Sequence, residues 1–285
     1  MKRAQILSVS IDCRLRPDLL ASCANIIQAR LPSQLVTVNP EFILEAQTNR
    51  AFRTALGDAE MSTADGKGIQ LAAYYNSLSF PTWQPARLVV GLLAGAWVGL
   101  IFILQSKELN HPIPEIITGV DLIDQLAAYG TKHRWKFFFL GGDKGIAEQA
   151  AIKLRTHYPE LIVVGAEAGV AKSVQGKRRK DELNLLAHRI RALKPDILLV
   201  ALGAPTQDLF IHEHKKILGI SLMLGVGGAF DYLAGIVPRA PAWLRSLGLE
   251  WCWRLLIQPW RWRRILKATL VFPWKVFWAR QYKNS

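Results

Sequence analysis

Ile197-Leu198-Leu199-Val200-Ala201-Leu202 runs without a polar residue into Gly203-Ala204-Pro205, and Thr206-Gln207-Asp208 then opens a helical pattern. An unbroken apolar run of this length, ended by a glycine turn, is what a parallel strand covered on both faces requires. The pattern recurs at Ile6–Ile11, Leu35–Val38, Lys136–Leu140, Leu161–Val164 and Ser221–Val226, each followed by a turn and a helix-period stretch. Alternating βαβ units predict an α/β fold, a doubly wound and mostly parallel sheet over residues 1–238. In such a sheet ligands bind beyond the carboxyl ends of the strands. Four ends draw attention: Thr37-Val38-Asn39-Pro40, Leu140-Gly141-Gly142-Asp143, Leu202-Gly203-Ala204-Pro205 and Gly225-Val226-Gly227-Gly228.

Two segments interrupt the rhythm. Within an apolar insertion at about residues 83–112, Leu88–Leu104 carries no charge over seventeen residues. As a helix it would cover about 25 Å, short of the ~30 Å hydrocarbon core. Strand-like segments lie on both sides of it, so a simple membrane crossing is rejected. Core burial, a dip into the membrane surface and a homo-oligomer contact stay open.

The other is the tail, residues 239–285. It holds ten Lys or Arg against one acid, Glu250, a large share of a net charge of +14, and seven of the ten Trp. Trp243–Arg254 and Trp260–Arg280 read as two amphipathic helices separated by Gln258-Pro259. Basic, Trp-rich segments bind either nucleic acid or an anionic bilayer. The interleaved Leu, Ile, Val and Phe favour the bilayer and argue against nucleic acid. Docking of the tail on its own domain is disfavoured, because it would need an acidic surface and the chain has few acids. Cys13, Cys23 and Cys252 form no pairing pattern, so neither a disulfide framework nor a zinc site is expected. The apolar stretch near the N-terminus is broken by Asp12 and Arg14, and no secretory signal is expected.

Ser62-Thr63-Ala64-Asp65-Gly66-Lys67-Gly68 is the sharpest local motif. A lone carboxylate stands beside glycines, just before a helix. Asp65 is either that helix's cap or a base able to deprotonate a sugar hydroxyl. The turn at Gly203–Asp208 frames contacts to a nucleotide or sugar, or is a tight βα turn capped by Thr206. Gly225-Val226-Gly227-Gly228 looks like a phosphate loop, yet neither a Walker pattern nor GxGxxG is present. No Asp-x-Asp follows a strand. Asp121 and Asp124 read as a cap and a solvated face, and His212 and His214 are poorly spaced for a metal on a helix.

Taken in order, these motifs and Thr118-Gly119-Val120-Asp121-Leu122, Arg239-Ala240-Pro241, Gly248-Leu249-Glu250-Trp251 and Pro259-x-Arg261-x-x-Arg264 resemble the WecG/TagA/CpsF glycosyltransferase family over about residues 5–267. The resemblance implies a Rossmann-like catalytic domain and a basic C-terminal appendage that completes the site at the membrane. It implies inverting transfer, without cofactor or metal, from a nucleotide-sugar donor of the UDP-N-acetylmannosamine or UDP-glucose type. The acceptor would be a sugar linked to undecaprenyl diphosphate, at the cytoplasmic face of the bacterial inner membrane. Asp65 then matches the general base, with Thr37 and Asn39 in its pocket. Gln207 matches a donor-site residue, and Arg254, Arg261 and Arg264 match arginines that close over the donor diphosphate. Thr118, Gly141, Gly142, Gly203, Pro205, Gly227, Phe230, Asp231 and Arg239 fall on the remaining motif positions as substrate contacts. Arg263 and Arg280 are read as lipid-headgroup contacts.

The chain departs from the family pattern in three places. Ile116 and Ile117 stand where an Arg usually precedes Thr-Gly-x-Asp-Leu, Asp208 stands where Glu is common, and Leu88–Leu104 is an insertion.

Overall fold

The computed structural model describes residues 2–104, 107–170 and 176–282; the remaining positions, including 283–285 of the appendage, lie outside the described residues. Six strands form one wholly parallel sheet: β3 (Ser33–Val38), β4 (Met61–Ala64), β5 (Lys136–Gly141), β6 (Ile162–Glu167), β7 (Ile197–Ala201) and β8 (Leu222–Gly225). Their order across the sheet is β4-β3-β8-β7-β5-β6. The N-terminal helices are α1 (Arg16–Ala29), α2 (Pro40–Thr48), α3 (Arg50–Gly57), α4 (Lys67–Ser77) and α5 (Gln84–Ile103). Next come α6 (Gly119–His133), α7 (Ile146–His157), α8 (Gly176–Ala192), α9 (Thr206–Leu218) and α10 (Ala229–Leu233). The tail holds α11 (Ala242–Ser246), α12 (Glu250–Ile257), α13 (Trp262–Leu266) and α14 (Phe272–Tyr282).

Both faces of the sheet are covered, and side chains alternate between them with period two. Phe137, Phe139, Ile197, Leu199, Leu222 and Leu224 pack with α1, α6 and α7. Phe138, Leu140, Leu198, Val200 and Met223 pack with α8 and α9 on the other face. This is why the strands read as unbroken apolar runs. The chain leaves β5 for β6 on one side and leaves β7 for β8 on the other. The loops after these adjacent strands therefore diverge, which opens the crevice where ligands bind in such folds.

Ile6–Ile11 is not a strand of this sheet. The chain reverses at Leu7, whose φ is +52°, and forms a separate antiparallel hairpin of β1 (Arg3–Ile6) and β2 (Val9–Asp12). Buried Asp12 fastens it to β4, a strand the apolar pattern does not reveal. Ser62 N donates to Asp12 Oδ2 and Asp12 N donates to Ser62 Oγ, both at 3.0 Å, while Arg3 Nε donates to Asp12 Oδ1 at 2.7 Å. Ser62 and Thr63 break the apolar run of β4, but both are buried with their hydroxyls bonded, Thr63 Oγ1 donating to Ile117 O at 3.4 Å.

The tail also differs from its sequence reading. Gly248, at φ +74°, splits the first expected helix into α11 and α12. The second continues through a short 3-10 turn and a π-helical turn, Lys267–Val271, into α14. The tail docks on its own domain after all, through apolar contacts together with ion pairs to Glu41 and Asp121. Phe272 and Val276 are buried in the core formed by β1, β2, α2, α3 and α4. Gln281 Nε2 donates to the buried Tyr75 hydroxyl at 3.1 Å.

Core burial does not describe α5 either. Arg87, Gly91, Val98 and Ile101 are its buried residues, and most of its apolar side chains face outward.

Phe272→Ala removes the largest apolar anchor of the tail. It is expected to cost about 3–5 kcal/mol, read as a lower urea midpoint at unchanged m-value.

Candidate active site

The carboxyl ends of β3, β4, β5, β7 and β8 surround a cleft of about 790 Å³. After β3, Asn39 caps α2 by accepting from Phe42 N at 3.1 Å, and it lines the cleft. Thr37 Oγ1 donates to Gly225 O of the neighbouring strand at 3.4 Å. After β4, the Asp65 amide donates to Val38 O at 2.8 Å, which extends the ladder one residue beyond the strand. Gly66 then turns the chain at φ +101° and itself occupies the N-cap position of α4. Asp65 is therefore not a helix cap, and among the described residues its carboxylate accepts no hydrogen bond.

That isolation has an electrostatic consequence. Burial pushes the Asp65 carboxyl up to about 7, Arg254 and Arg239 pull it down, and Glu250 and Asp121 push it up. A carboxylate poised near neutrality, without a structural bond to hold it, is suited to accept a proton.

The phosphate-like loops are shaped by glycines. Gly142 adopts φ +76°, and its amide donates to Ala201 O at 2.9 Å. Gly141 does not line the cleft; at φ +112° a Cβ there would meet the Ala201 carbonyl carbon at 2.5 Å. Pro205 is not among the lining residues either, although Gly203, Ala204 and Thr206 are. Pro205 occupies the N-cap position of α9, so Thr206 is not the cap. Buried Gln207 accepts from the Gly227 amide at 2.9 Å, so its carbonyl holds the loop after β8 in place. Phe230 lines the cleft but is also core, with its ring 5.3 Å from that of Phe139. Asp231 is raised by burial, opposed by Arg261 and reinforced by Asp143. Asp208 lies fully buried, and desolvation lifts its carboxyl to about 7.

The tail brings the arginines to this cleft. Arg254 pairs with Glu250 at 3.0 Å and lies over the Tyr232 ring at 5.4 Å. Arg264 pairs with Glu41 at 2.6 Å, and Arg239 with Asp121 at 2.7 Å. Arg261 has no ion pair among the described residues and faces Asp231 only through its field. Arg280 is not a headgroup contact. Its guanidinium donates to Leu78 O at 2.8 Å and lies over Phe80. Arg263 lies over the Trp262 ring in an exposed position.

A second cavity, of about 750 Å³, meets the first at Asn39, Asp65, Thr118, Arg239, Glu250 and Arg254. Its outer walls are Phe102 of α5 and Trp251, Ile265, Ala268, Thr269 and Pro273 of the tail. Asp65 thus stands where two cavities join. Sequence reasoning did not single out Tyr232, Glu250 or Lys67 as cavity residues. Lys67 was two positions from Asp65 and Tyr232 next to Asp231, both within reach of that inference, whereas Glu250 joins the site only because the tail folds back. Ile116 lines the second cavity where the family pattern usually has an Arg. The nearby guanidinium of Arg16 pairs with Glu115 at 2.8 Å and lines neither cavity. Asp121 is not a solvated cap; Thr118 caps α6 and donates to Asp121 Oδ2 at 2.8 Å. Asp124 accepts from the Tyr158 hydroxyl, and His212 and His214 contact Asp58 and Asn184.

The family model described as "Glycosyl transferase WecG/TagA/CpsF family" matches residues 4–87 and 97–285. The chain is 27% identical over 240 residues to a Bacillus subtilis protein named N-acetylglucosaminyldiphosphoundecaprenol N-acetyl-beta-D-mannosaminyltransferase, covering 84% of this chain and 77% of that one. A Staphylococcus aureus protein of the same name is 27% identical over 249 residues, covering 87% and 80%. A Bacillus spizizenii protein, again of that name, is 28% identical over 232 residues, covering 81% and 74%.

The raised Asp65 value carries a stability prediction. The folded chain keeps a proton that the unfolded chain, with its carboxyl near 3.8, has released. The stabilisation is full below 3.8 and is lost as pH rises through about 7. Asp65→Asn is therefore expected to melt higher than wild type at pH 8, by about 1–3 kcal/mol after discounting for solvent, and to match it at pH 4.

Proposed function

The chain belongs to the WecG/TagA/CpsF glycosyltransferase family, and on that premise we propose that it transfers N-acetylmannosamine from a uridine-diphosphate donor to N-acetylglucosamine-diphosphoundecaprenol. It is a glycosyltransferase; the donor, the acceptor and the residue roles are the proposal. The observation that carries it is the position of Asp65, an unbonded carboxylate where a glycine-lined cleft meets a second, partly apolar cavity.

The donor occupies the first cleft, with its diphosphate beside the glycine turns at Gly142 and Gly227, against the amide of Gly228 and under Arg254, Arg261 and Arg264. The acceptor sugar enters from the second cavity and places a hydroxyl beside Asp65. Asp65 takes the hydroxyl proton as the oxygen attacks the anomeric carbon, and the bond from that carbon to the diphosphate oxygen breaks. Because nucleophile and leaving group approach from the two cavities, the displacement is in line and inverts the anomeric centre. The negative charge left on the diphosphate is met by guanidinium groups in a partly desolvated cleft, which makes a metal unnecessary. Thr37 and Asn39 shape the pocket around the base, and Gln207 holds the loop that carries Gly227. A lipid-linked acceptor places the enzyme at the cytoplasmic face of the inner membrane, as a peripheral or monotopic protein.

UDP release from UDP-N-acetylmannosamine, with a short-chain polyprenyl-diphosphate N-acetylglucosamine acceptor and EDTA present, tests the reading. Release is expected to depend on the acceptor and to fall by about 10²–10⁴-fold in Asp65→Ala, with UDP binding retained. Acceptor-dependent release that survives this substitution overturns Asp65 as the base. The profile of kcat/KM is expected to rise with pH and level off above an inflection near 7, because the base works ionised. Arg261→Ala is expected to lower kcat by about 10²-fold while acceptor KM changes little.

A further inference from the structure

The stretch that the family model leaves unmatched, residues 88–96, lies wholly within α5. This helix is fastened along one line by buried polar contacts. Arg87, 2% exposed, donates to Arg280 O at 2.7 Å. Tyr75 donates from its hydroxyl to Gly91 O at 3.3 Å, and a Cβ on Gly91 would collide with the Gln281 amide. Away from that line the side chains are Leu88, Val89, Leu92, Leu93, Trp97 and Leu100, all at least 41% exposed. An apolar face this continuous on a firmly docked helix is an interaction surface. It does not cross a bilayer, because β3 and β4 before it and β5 to β8 after it belong to one sheet.

The same helix reaches the second cavity through Phe102. Gly248 of the tail sits so close that a Cβ there would lie 2.5 Å from Lys67 Cγ and 3.3 Å from the Phe102 ring, so α4, α5 and the tail meet at this point. Charge within the cavity is unevenly balanced. Four of its carboxylates are already neutralised: Glu41 by Arg264, Glu115 by Arg16, Asp121 by Arg239 and Glu250 by Arg254. Lys67 and Arg245 also line it, and neither has an ion pair among the described residues. Arg245 donates only to the backbone carbonyl of Ala240, at 3.1 Å. Lys67 makes no hydrogen bond among the described residues, and burial pushes its ammonium down. A half-buried, unpaired lysine lining a cavity at the first turn of α4, where helix amides also favour anions, is a site that awaits a negative group.

We propose that α5 and the tail form a lipid port: the outer face of α5 enters one leaflet of an anionic bilayer, the acceptor's isoprenoid chain leaves the cavity between Phe102 and the tail helices, and Lys67 and Arg245 hold its diphosphate. This rests on the acceptor reading given above. Membrane lipid is the occupant that fits, since an apolar helix face borders a cavity whose unpaired cations suit a lipid diphosphate. The tail beyond it carries ten basic residues against one acid. The polar chemistry of the cavity and the apolar chemistry of the helix thus match the two ends of one amphipathic ligand.

Two binding measurements on the full chain test the port, neither of which needs turnover. The first titrates farnesyl diphosphate, and separately UDP, into wild type and a Lys67→Ala/Arg245→Ala double variant. Farnesyl diphosphate affinity is expected to fall at least tenfold while UDP affinity stays within twofold. Equal farnesyl diphosphate binding by the double variant, or competition between the two ligands in wild type, overturns the assignment. The second measures co-sedimentation with phosphatidylethanolamine–phosphatidylglycerol vesicles for wild type and Leu92→Asp/Leu93→Asp. Both leucines are exposed, so an unchanged melting temperature verifies the fold. Vesicle affinity is expected to fall at least tenfold, and unchanged association overturns the role of α5. An enzyme that passes both tests yet shows no acceptor-dependent UDP release would sink the transferase chemistry and leave the port standing.

Discussion

Phe272 and Val276 bury their side chains beside β1, β2 and the helices flanking β3 and β4, and much of the site depends on that contact. It turns the basic tail back across the carboxyl edge of the sheet. Arg254, Arg261 and Arg264 then hang over the cleft, and Ile265, Thr269 and Pro273 wall the second cavity. The sheet alone would offer glycine turns and Asp65, open to water on one side. Closing the site with a C-terminal segment supplies the positive charge and also lowers the polarity around Asp65. Both effects come from one apolar docking event, so the stability of the tail and the chemistry of the cleft are coupled.

The electrostatic plan follows from which charges are paired. Around the two cavities most carboxylates have an arginine within salt-bridge distance, which holds the arginines in place. Asp65 is without such a direct partner, and burial raises its proton affinity against the more distant pull of Arg254 and Arg239. Arg261, Lys67 and Arg245 are also unpaired by carboxylates among the described residues, one over the first cavity and two in the second. Unpaired partly buried charges are costly in isolation and therefore mark where a ligand of opposite charge completes the structure. The chain's large positive charge is in this sense partly local, concentrated around the two cavities.

Helix α5, whose residues 88–96 the family model leaves unmatched, follows a different rule. A helix with this length and hydropathy would suit either a core or a bilayer, but its neighbours contact it along one narrow line through Arg87, Gly91, Val98 and Ile101. Small Gly91 allows the close approach of Gln281, and the buried guanidinium of Arg87 finds a backbone carbonyl in the last turn of α14. Helix α5 and the tail therefore brace each other, although nearly two hundred residues separate them.

Sequence alone determined the doubly wound parallel sheet, because strands covered on both faces must read as unbroken apolar runs. It also located Asp65, Asn39 and the glycine turns, because these belong to strand ends and turn chemistry is local. It missed β4, whose Ser62 and Thr63 are buried through hydroxyl bonds that hydropathy does not register. It joined β1 and β2 into one strand, since the reversal rests on a left-handed Leu7 that no composition signals. The arginine motif of the tail was legible as a family resemblance. Which arginines face the cleft and which, like Arg280, are tied to backbone was not, and neither was the second cavity. Those features depend on contacts between residues far apart in the chain, and a one-dimensional pattern records the preferences of each segment but not which segment it meets.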